Sequence, residues 1–211
     1  MRRRWLLALP ALLAGRAEAA TVRGEAAAAL IAALRRGGVV VVLRHAITDR
    51  SQVDRGDLAD RAGQRNLSES GRAQSRALGR AFAQLPLGQV LTSPVFRALD
   101  TAELAFGARA AVEPRLTADD YTHDMALLAA NIAWLRERIR QPSAPDAVDV
   151  LVGHIVPLGM VLGRGLSQAE YPEGALAIFA PGGRLLGVLA AETLGEALSP
   201  APPASGTPPP R

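Results

Sequence analysis

Short runs of β-branched residues alternate along the chain with longer stretches whose apolar positions recur at helical spacing. Val39 to Leu43 reads Val-Val-Val-Val-Leu, apolar at every position, as a strand covered on both faces of a parallel sheet must be. Val90 and Leu91 mark a second short strand, and Val148 to Val152 a third. Before the first strand, Glu25 to Arg36 is alanine-rich and favours helix, and Gly37-Gly38 follows where a left-handed cap is expected. Ser68 predicts the N-cap of a helix running to about Leu85, with Ala73, Ala77, Leu78, Ala81, Phe82 and Leu85 as its apolar stripe. Ser93-Pro94 reads as the start of a helix that reaches Phe106 before Gly107. Met125, Leu128, Ile132, Leu135 and Ile139 predict another helix, and Val156 to Leu162 a short one. Ala175 to Phe179 and Leu185 to Leu189 predict a hairpin about Pro181-Gly182-Gly183. Asp49 to Asn66 mixes charges of both signs without period and reads as an exposed loop. The alternation of strand and helix makes the fold class α/β.

The ends carry different patterns. Arg2, Arg3 and Arg4 precede an apolar run from Trp5 to Gly15, and Ala17-Glu18-Ala19 offers a small-x-small cleavage site, so residues 1–19 are expected to be a secretory signal. That run is short for a bilayer span, and the paired arginines leave both general and twin-arginine export open. Ser199 to Arg211 holds six prolines among Ser, Gly and Ala, and is expected to be a disordered tail. One domain over residues 20–198 remains, with a periplasmic or secreted destination and no stable membrane span.

Of the 211 residues 49% are hydrophobic and 21% charged, enough to bury a sizeable core. All 24 basic residues are arginine. Without lysine neither a Walker-type phosphate loop nor a Schiff base is available, and without cysteine there are no disulfides, thiolate nucleophiles or thiolate-held metals. Removing residues 1–19 leaves 20 basic against 19 acidic residues, so no nucleic-acid partner is expected.

Two of the three histidines directly follow apolar strand runs, as Arg44-His45 and Gly153-His154. Ligands bind beyond the carboxyl ends of strands in open α/β sheets, so neighbouring strands would point both imidazoles into one crevice. Either histidine alone would serve as a strand cap, and paired histidines also suit a cation. Arg44 beside His45 would repel one, and the site reads as built for an anion. Arg97, in the first turn after Ser93-Pro94, adds a second guanidinium where a helix N-terminus already favours negative charge.

These residues resemble the histidine phosphatase superfamily, phosphoglycerate mutase-like, of the branch 1 type. The signature Arg-His-Gly/Ala stands as Leu43-Arg44-His45-Ala46-Ile47-Thr48, and the following Leu-Ser-x-x-Gly-x-x-Gln helix as Leu67 to Gln74. The Ser-Pro-x-x-Arg-Ala-x-x-Thr-Ala element runs from Ser93 to Ala102, and the late Gly-His is Gly153-His154. The resemblance implies a three-layer α/β/α sandwich on a mostly parallel central sheet, and phosphoryl transfer through a phosphohistidine. His45 would be the nucleophile, and Arg44, Arg97 and His154 would hold the phosphate oxygens. Thr48 matches a hydroxyl position of the nucleophile loop and would donate to phosphate or cap the loop. Arg65, just ahead of Leu67-Ser68, is read as a surface arginine, and Gly71 and Gln74 as packing residues.

One part of the pattern is missing. Many relatives carry a glutamate beyond the arginine helix that protonates the leaving oxygen, and Leu116-Thr117-Ala118 puts alanine there. Asp119 is taken as the general acid in its place, with Asp120 adjoining and His123 and Asp124 as weaker candidates. No metal or organic cofactor is expected. The expected function is exported phosphomonoester hydrolysis, on a phosphorylated small molecule or phosphoprotein; a phosphate binder without turnover and a phosphomutase are the alternatives. The short stretch between Arg97 and His154 leaves no room for a large lid domain, so the crevice is expected to be open.

Overall fold

A computed structural model describes residues 21–198; the leader expected at 1–19 and the tail expected at 199–211 lie outside the described residues. Six strands form one sheet: β1 (Val39–Arg44), β2 (Leu87–Thr92), β3 (Ala110–Val112), β4 (Val148–Gly153), β5 (Leu176–Ala180) and β6 (Arg184–Leu189). Their order is β3-β2-β4-β1-β5-β6. The β1–β4, β2–β4 and β2–β3 pairs are parallel, whereas β5 is antiparallel to both neighbours. Five strands therefore run one way and β5 alone runs back.

Alternating residues of the central strands face opposite layers, which is why β1 has no polar alternation. Val39, Val41 and Leu43 pack with α1 (Gly24–Arg36), α2 (Glu69–Phe82), α3 (Phe96–Phe106) and α6 (Ala191–Leu198), through Leu34, Phe82, Ala98 and Leu194 among others. Val40 and Val42 pack on the other side with α4 (Met125–Arg138) and α5 (Ile155–Leu162), through Leu135, Leu158 and the buried Tyr171. The result is an α/β/α sandwich.

Three local expectations need correction. Helix α3 begins at Phe96 with Val95 as N-cap, because Ser93 Oγ bonds the Val95 amide at 3.2 Å inside a turn and does not cap the helix. The buried face of α2 consists of Gly71, Ser75, Leu78, Ala81 and Phe82, while Ala73 is exposed and Ala77 only half-buried. Small residues draw that helix in: a Cβ on Gly71 would stand 1.9 Å from the Ile47 carbonyl oxygen, in the loop that carries the first histidine. Strand β3 and helix α6 are additional elements. β3 is three residues at the sheet edge, and α6 shows its pattern only through Ala191, Leu194 and Leu198.

Gly71→Val should therefore cost roughly 1–3 kcal/mol or more, since the obstructing atom is backbone. The urea midpoint is expected to fall and phosphate affinity with it. Unchanged values for both would show that the α2–loop contact is slack.

Candidate active site

Strands β1 and β4 pair in a register that sets Arg44 opposite Gly153, so the next residue of each chain is a histidine. The His45 amide donates to the Gly153 carbonyl at 3.0 Å, and the two imidazole centroids lie 5.4 Å apart with ring planes inclined by 51°. β2 ends beside them at Thr92, and the following Ser93 places its hydroxyl 2.8 Å from His154 Nε2. Three strand ends thus meet at one point.

The loop after β1 is tied down before any ligand arrives. His45 Nδ1 lies 3.0 Å from the Ala46 carbonyl oxygen, which makes Nδ1 the protonated nitrogen and leaves the lone pair on Nε2. The Ala46 amide donates to Thr101 Oγ1 at 2.9 Å, and that hydroxyl donates to the Arg97 carbonyl at 2.7 Å. Helix α3 therefore positions the loop that carries His45 and Arg97 together. Ser93 Oγ accepts from Val95 N–H and lies 2.8 Å from His154 Nε2, which fixes the orientation of that ring.

Arg44, His45, Arg97 and His154 are only 2, 2, 3 and 5% exposed. These four side chains therefore sit at the bottom of the site. The segment 49–66, read as an exposed loop, brings Asp54 and Arg65 against the cage. Asp54 Oδ1 accepts from the Arg65 amide at 2.9 Å, from Arg97 at 2.9 Å and from the Tyr121 hydroxyl. Arg44 donates to Gln168 at 2.7 Å and to the Tyr171 carbonyl at 2.6 Å.

The charges act on one another. Burial, and then the Arg97 guanidinium, hold the pKa of both His45 and His154 well below the ordinary histidine value of 6.5. Both rings are neutral at neutral pH, and His45 Nε2 keeps its lone pair there. A histidine that titrates normally when unfolded but resists protonation when folded destabilises the fold as pH drops below the unfolded value. The urea midpoint of the anion-free protein should fall on acidification from about pH 7 to 5, and less so in His45→Phe. A midpoint flat over that range would contradict the neutral pair.

Two of the expected site residues stand differently. The Thr48 hydroxyl donates to Glu173 at 2.7 Å, and the Thr48 amide lies 3.4 Å from the same carboxylate. Its proton is thereby committed to a loop tie, and Thr48 does not face a phosphate as donor. Of the acidic pair, Asp120 rather than Asp119 meets the cage, with Oδ2 3.5 Å from Arg97. Arg65 is the reverse case: its Nε is buried at the site, although its position ahead of Leu67-Ser68 was the only hint in the sequence. Asp54 and Tyr121 carry no hint, since neither belongs to a periodic or spaced motif.

Among the described residues, the buried side-chain nitrogens and oxygens without a hydrogen-bond partner are Arg44 Nε, Arg65 Nε, Arg97 Nε and His154 Nδ1. Buried donors are otherwise almost always paired. All four belong to this cluster, whose three guanidinium N–H groups are thus held ready for an acceptor of high charge density. Among the described residues no grouping of His, Cys, Asp and Glu has the spacing to hold a metal ion.

Comparison with known proteins agrees in fold and motif. Residues 40–122 match the family model described as the histidine phosphatase superfamily, branch 1. An uncharacterized protein of Picosynechococcus sp. strain PCC 7002 is 36% identical over 118 residues, a stretch covering 55% of this chain and 66% of that protein. The chain thus spans just under two thirds of that relative's length. The protein histidine phosphatase SixA complexed with tungstate superposes with a TM-score of 0.50 at 19% identity, over 74% of this chain and 99% of SixA. A mycobacterial glucosyl-3-phosphoglycerate phosphatase complexed with inorganic phosphate does so at 0.50 and 18%, over 74% and 99%. At these identities the solved structures speak for the shared fold. The family match lies across the loop after β1 and the arginine helix, so over residues 40–122 the chain is similar to the histidine phosphatase superfamily, branch 1.

Proposed function

We propose that the protein is an exported phosphomonoester hydrolase acting through a phosphohistidine on His45. The observation that carries this reading is a set of four buried side-chain nitrogens without a hydrogen-bond partner, on three arginines whose charges act on His45 and on His154 with its ring 5.4 Å away, beside an imidazole whose free nitrogen is Nε2. A phosphoryl group in flight spreads its charge over three equatorial oxygens, and a rigid ring of N–H groups in a dry site stabilises that charge with no reorganisation. Arg44, Arg65, Arg97 and His154 supply the donors. Nε2 of His45 attacks phosphorus as the ester P–O bond breaks. Water then attacks the phosphohistidine, the P–N bond breaks, and inorganic phosphate and neutral His45 are restored.

Export supports hydrolysis over mutase chemistry, because a mutase must retain its phosphorylated intermediate between two hydroxyls of one cytosolic metabolite. The leader at 1–19 supports a periplasmic or secreted location, and no helix of the described residues is long and apolar enough to cross a membrane. The substrate class is a phosphorylated small molecule or phosphoprotein.

Purified protein is expected to hydrolyse an aryl phosphate and to be inhibited competitively by vanadate. Phosphate binding without turnover would leave a binding protein instead. Expression of the full chain in a bacterial host, followed by osmotic shock, is expected to release a product shortened at its N-terminus; retention of the full-length chain in the cytoplasm would contradict export.

A further inference from the structure

We propose that Asp120 is the general acid that protonates the leaving oxygen, a role that rests on the hydrolase reading above. Ala118 stands where a carboxylate is absent, and its side chain is buried against Val95 and Tyr121, so the proton must come from another group. The carboxylates around the cage differ in what they can give.

Asp54 is close but committed. Burial pushes its pKa up, yet the hydroxyl of Tyr121, the Arg65 amide and the charges of Arg97 and Arg65 outweigh this and hold it below the ordinary value. A carboxylate that accepts three hydrogen bonds on one oxygen has no proton to release. Glu173 accepts from Thr48 at 2.7 Å and acts on Arg44, where its charge is the first to offset burial. Asp100 is clamped by Arg61 through two bonds of 2.8 Å. Each of these three is an acceptor by construction.

Asp120 is held more loosely. Its Oδ2 lies 3.5 Å from the Arg97 guanidinium, long for a charge-assisted bond, and its side chain is 44% exposed. It therefore touches the group that would grip the phosphate while remaining open to water that can restore its proton. The charged groups facing it are Arg97 from α3, Asp54 from the 49–66 segment and Asp119 beside it; Tyr121 adjoins on its own turn, and His123 packs nearby against Gly56. Partial burial first, then the negative charges of Asp54 and Asp119, raise the proton affinity of Asp120 against the opposing pull of Arg97.

The proton balance closes over one turnover. Asp120 gives its proton to the ester oxygen as His45 takes the phosphoryl group, and the resulting carboxylate then accepts a proton from the attacking water. Nucleophile and acid have proton affinities displaced in opposite directions, His45 downward and Asp120 upward, which brings together the pH ranges of the neutral imidazole and the protonated carboxyl.

The test compares a poor and a good leaving group, glycerol phosphate and dinitrophenyl phosphate, across pH. For Asp120→Asn, kcat on glycerol phosphate should fall about 10²–10³-fold, while kcat on dinitrophenyl phosphate stays within about threefold and the alkaline limb of the profile disappears. Asp119→Asn should keep the leaving-group dependence of the wild type and move the alkaline limb to lower pH, because one raising charge is gone. Equal losses on both substrates in Asp120→Asn, or a persisting alkaline limb, would overturn the assignment and leave the hydrolase reading intact. A wild-type protein inactive on both substrates, or activity that survives His45→Ala, would overturn both.

Discussion

Replacement of His45 by alanine is expected to lower kcat on an aryl phosphate by about 10⁴-fold or more while phosphate still binds. Two features separate this residue from the other imidazole 5.4 Å away. His45 Nδ1 is fixed on the Ala46 carbonyl, so its Nε2 lone pair is available, whereas His154 Nε2 is engaged by the Ser93 hydroxyl and its Nδ1 is buried without a partner. His154 has the form of an oxyanion holder. The arginines do not depend on the His45 ring for their placement, since Arg44 is anchored by Gln168 and the Tyr171 carbonyl, and Arg97 by Asp54. Steady-state kinetics together with phosphate titration by calorimetry checks both halves. Turnover within about tenfold of wild type would place the nucleophile elsewhere.

Arg97→Met is expected to lower kcat/KM by about 10³–10⁵-fold, the range found when an arginine that stabilises transferring phosphoryl charge is removed. Methionine fills similar volume without the fork or the charge. The substitution also reports on the electrostatics, because Arg97 stands after burial as the next cause of the depressed proton affinity of both histidines. Removing a positive charge makes each imidazolium less costly, so both titrations move upward, and the acid limb of activity moves to higher pH. Histidine titration by NMR in wild type and variant checks the direction. Arg97→Lys should recover the histidine shift more fully than the rate, since lysine restores charge but not bidentate geometry. Titrations unmoved by Arg97→Met would contradict the picture of one electrostatically coupled cage.

What the sequence made legible follows from how far each interaction reaches along the chain. The runs at Val39 and Val148 announce strands covered on both faces, and the residues after them inherit a place at the carboxyl edge by geometry alone. Arg97 was likewise readable, because a helix start and an arginine stand within five residues of one another. Asp54 was not. Its role comes from bonds to Arg97 and Tyr121, 43 and 67 residues away, from within a polar segment that has no period to betray which side chain turns inward. Thr48 shows the converse, since its motif position suggested a phosphate donor and a glutamate 125 residues later claims the hydroxyl. The choice between Asp119 and Asp120 depends on a single step of a 3-10 turn, Asp119–Tyr121, which residue spacing cannot resolve. Helix α3 opening at Phe96 has the same origin, because the Ser93 hydroxyl is drawn to His154 from the neighbouring strand end.

The central claim, covalent transfer to one nitrogen of one histidine, is tested most directly by trapping the intermediate. Protein mixed with an excess of dinitrophenyl phosphate and quenched in alkali within the first turnovers should carry phosphate that is stable to base and labile to acid. Peptide mapping should place it on the segment containing His45, with the bond at Nε2, and His45→Ala should carry none. Phosphate found on the His154 peptide instead, or turnover with no trapped phosphoenzyme at any quench time, would contradict the account.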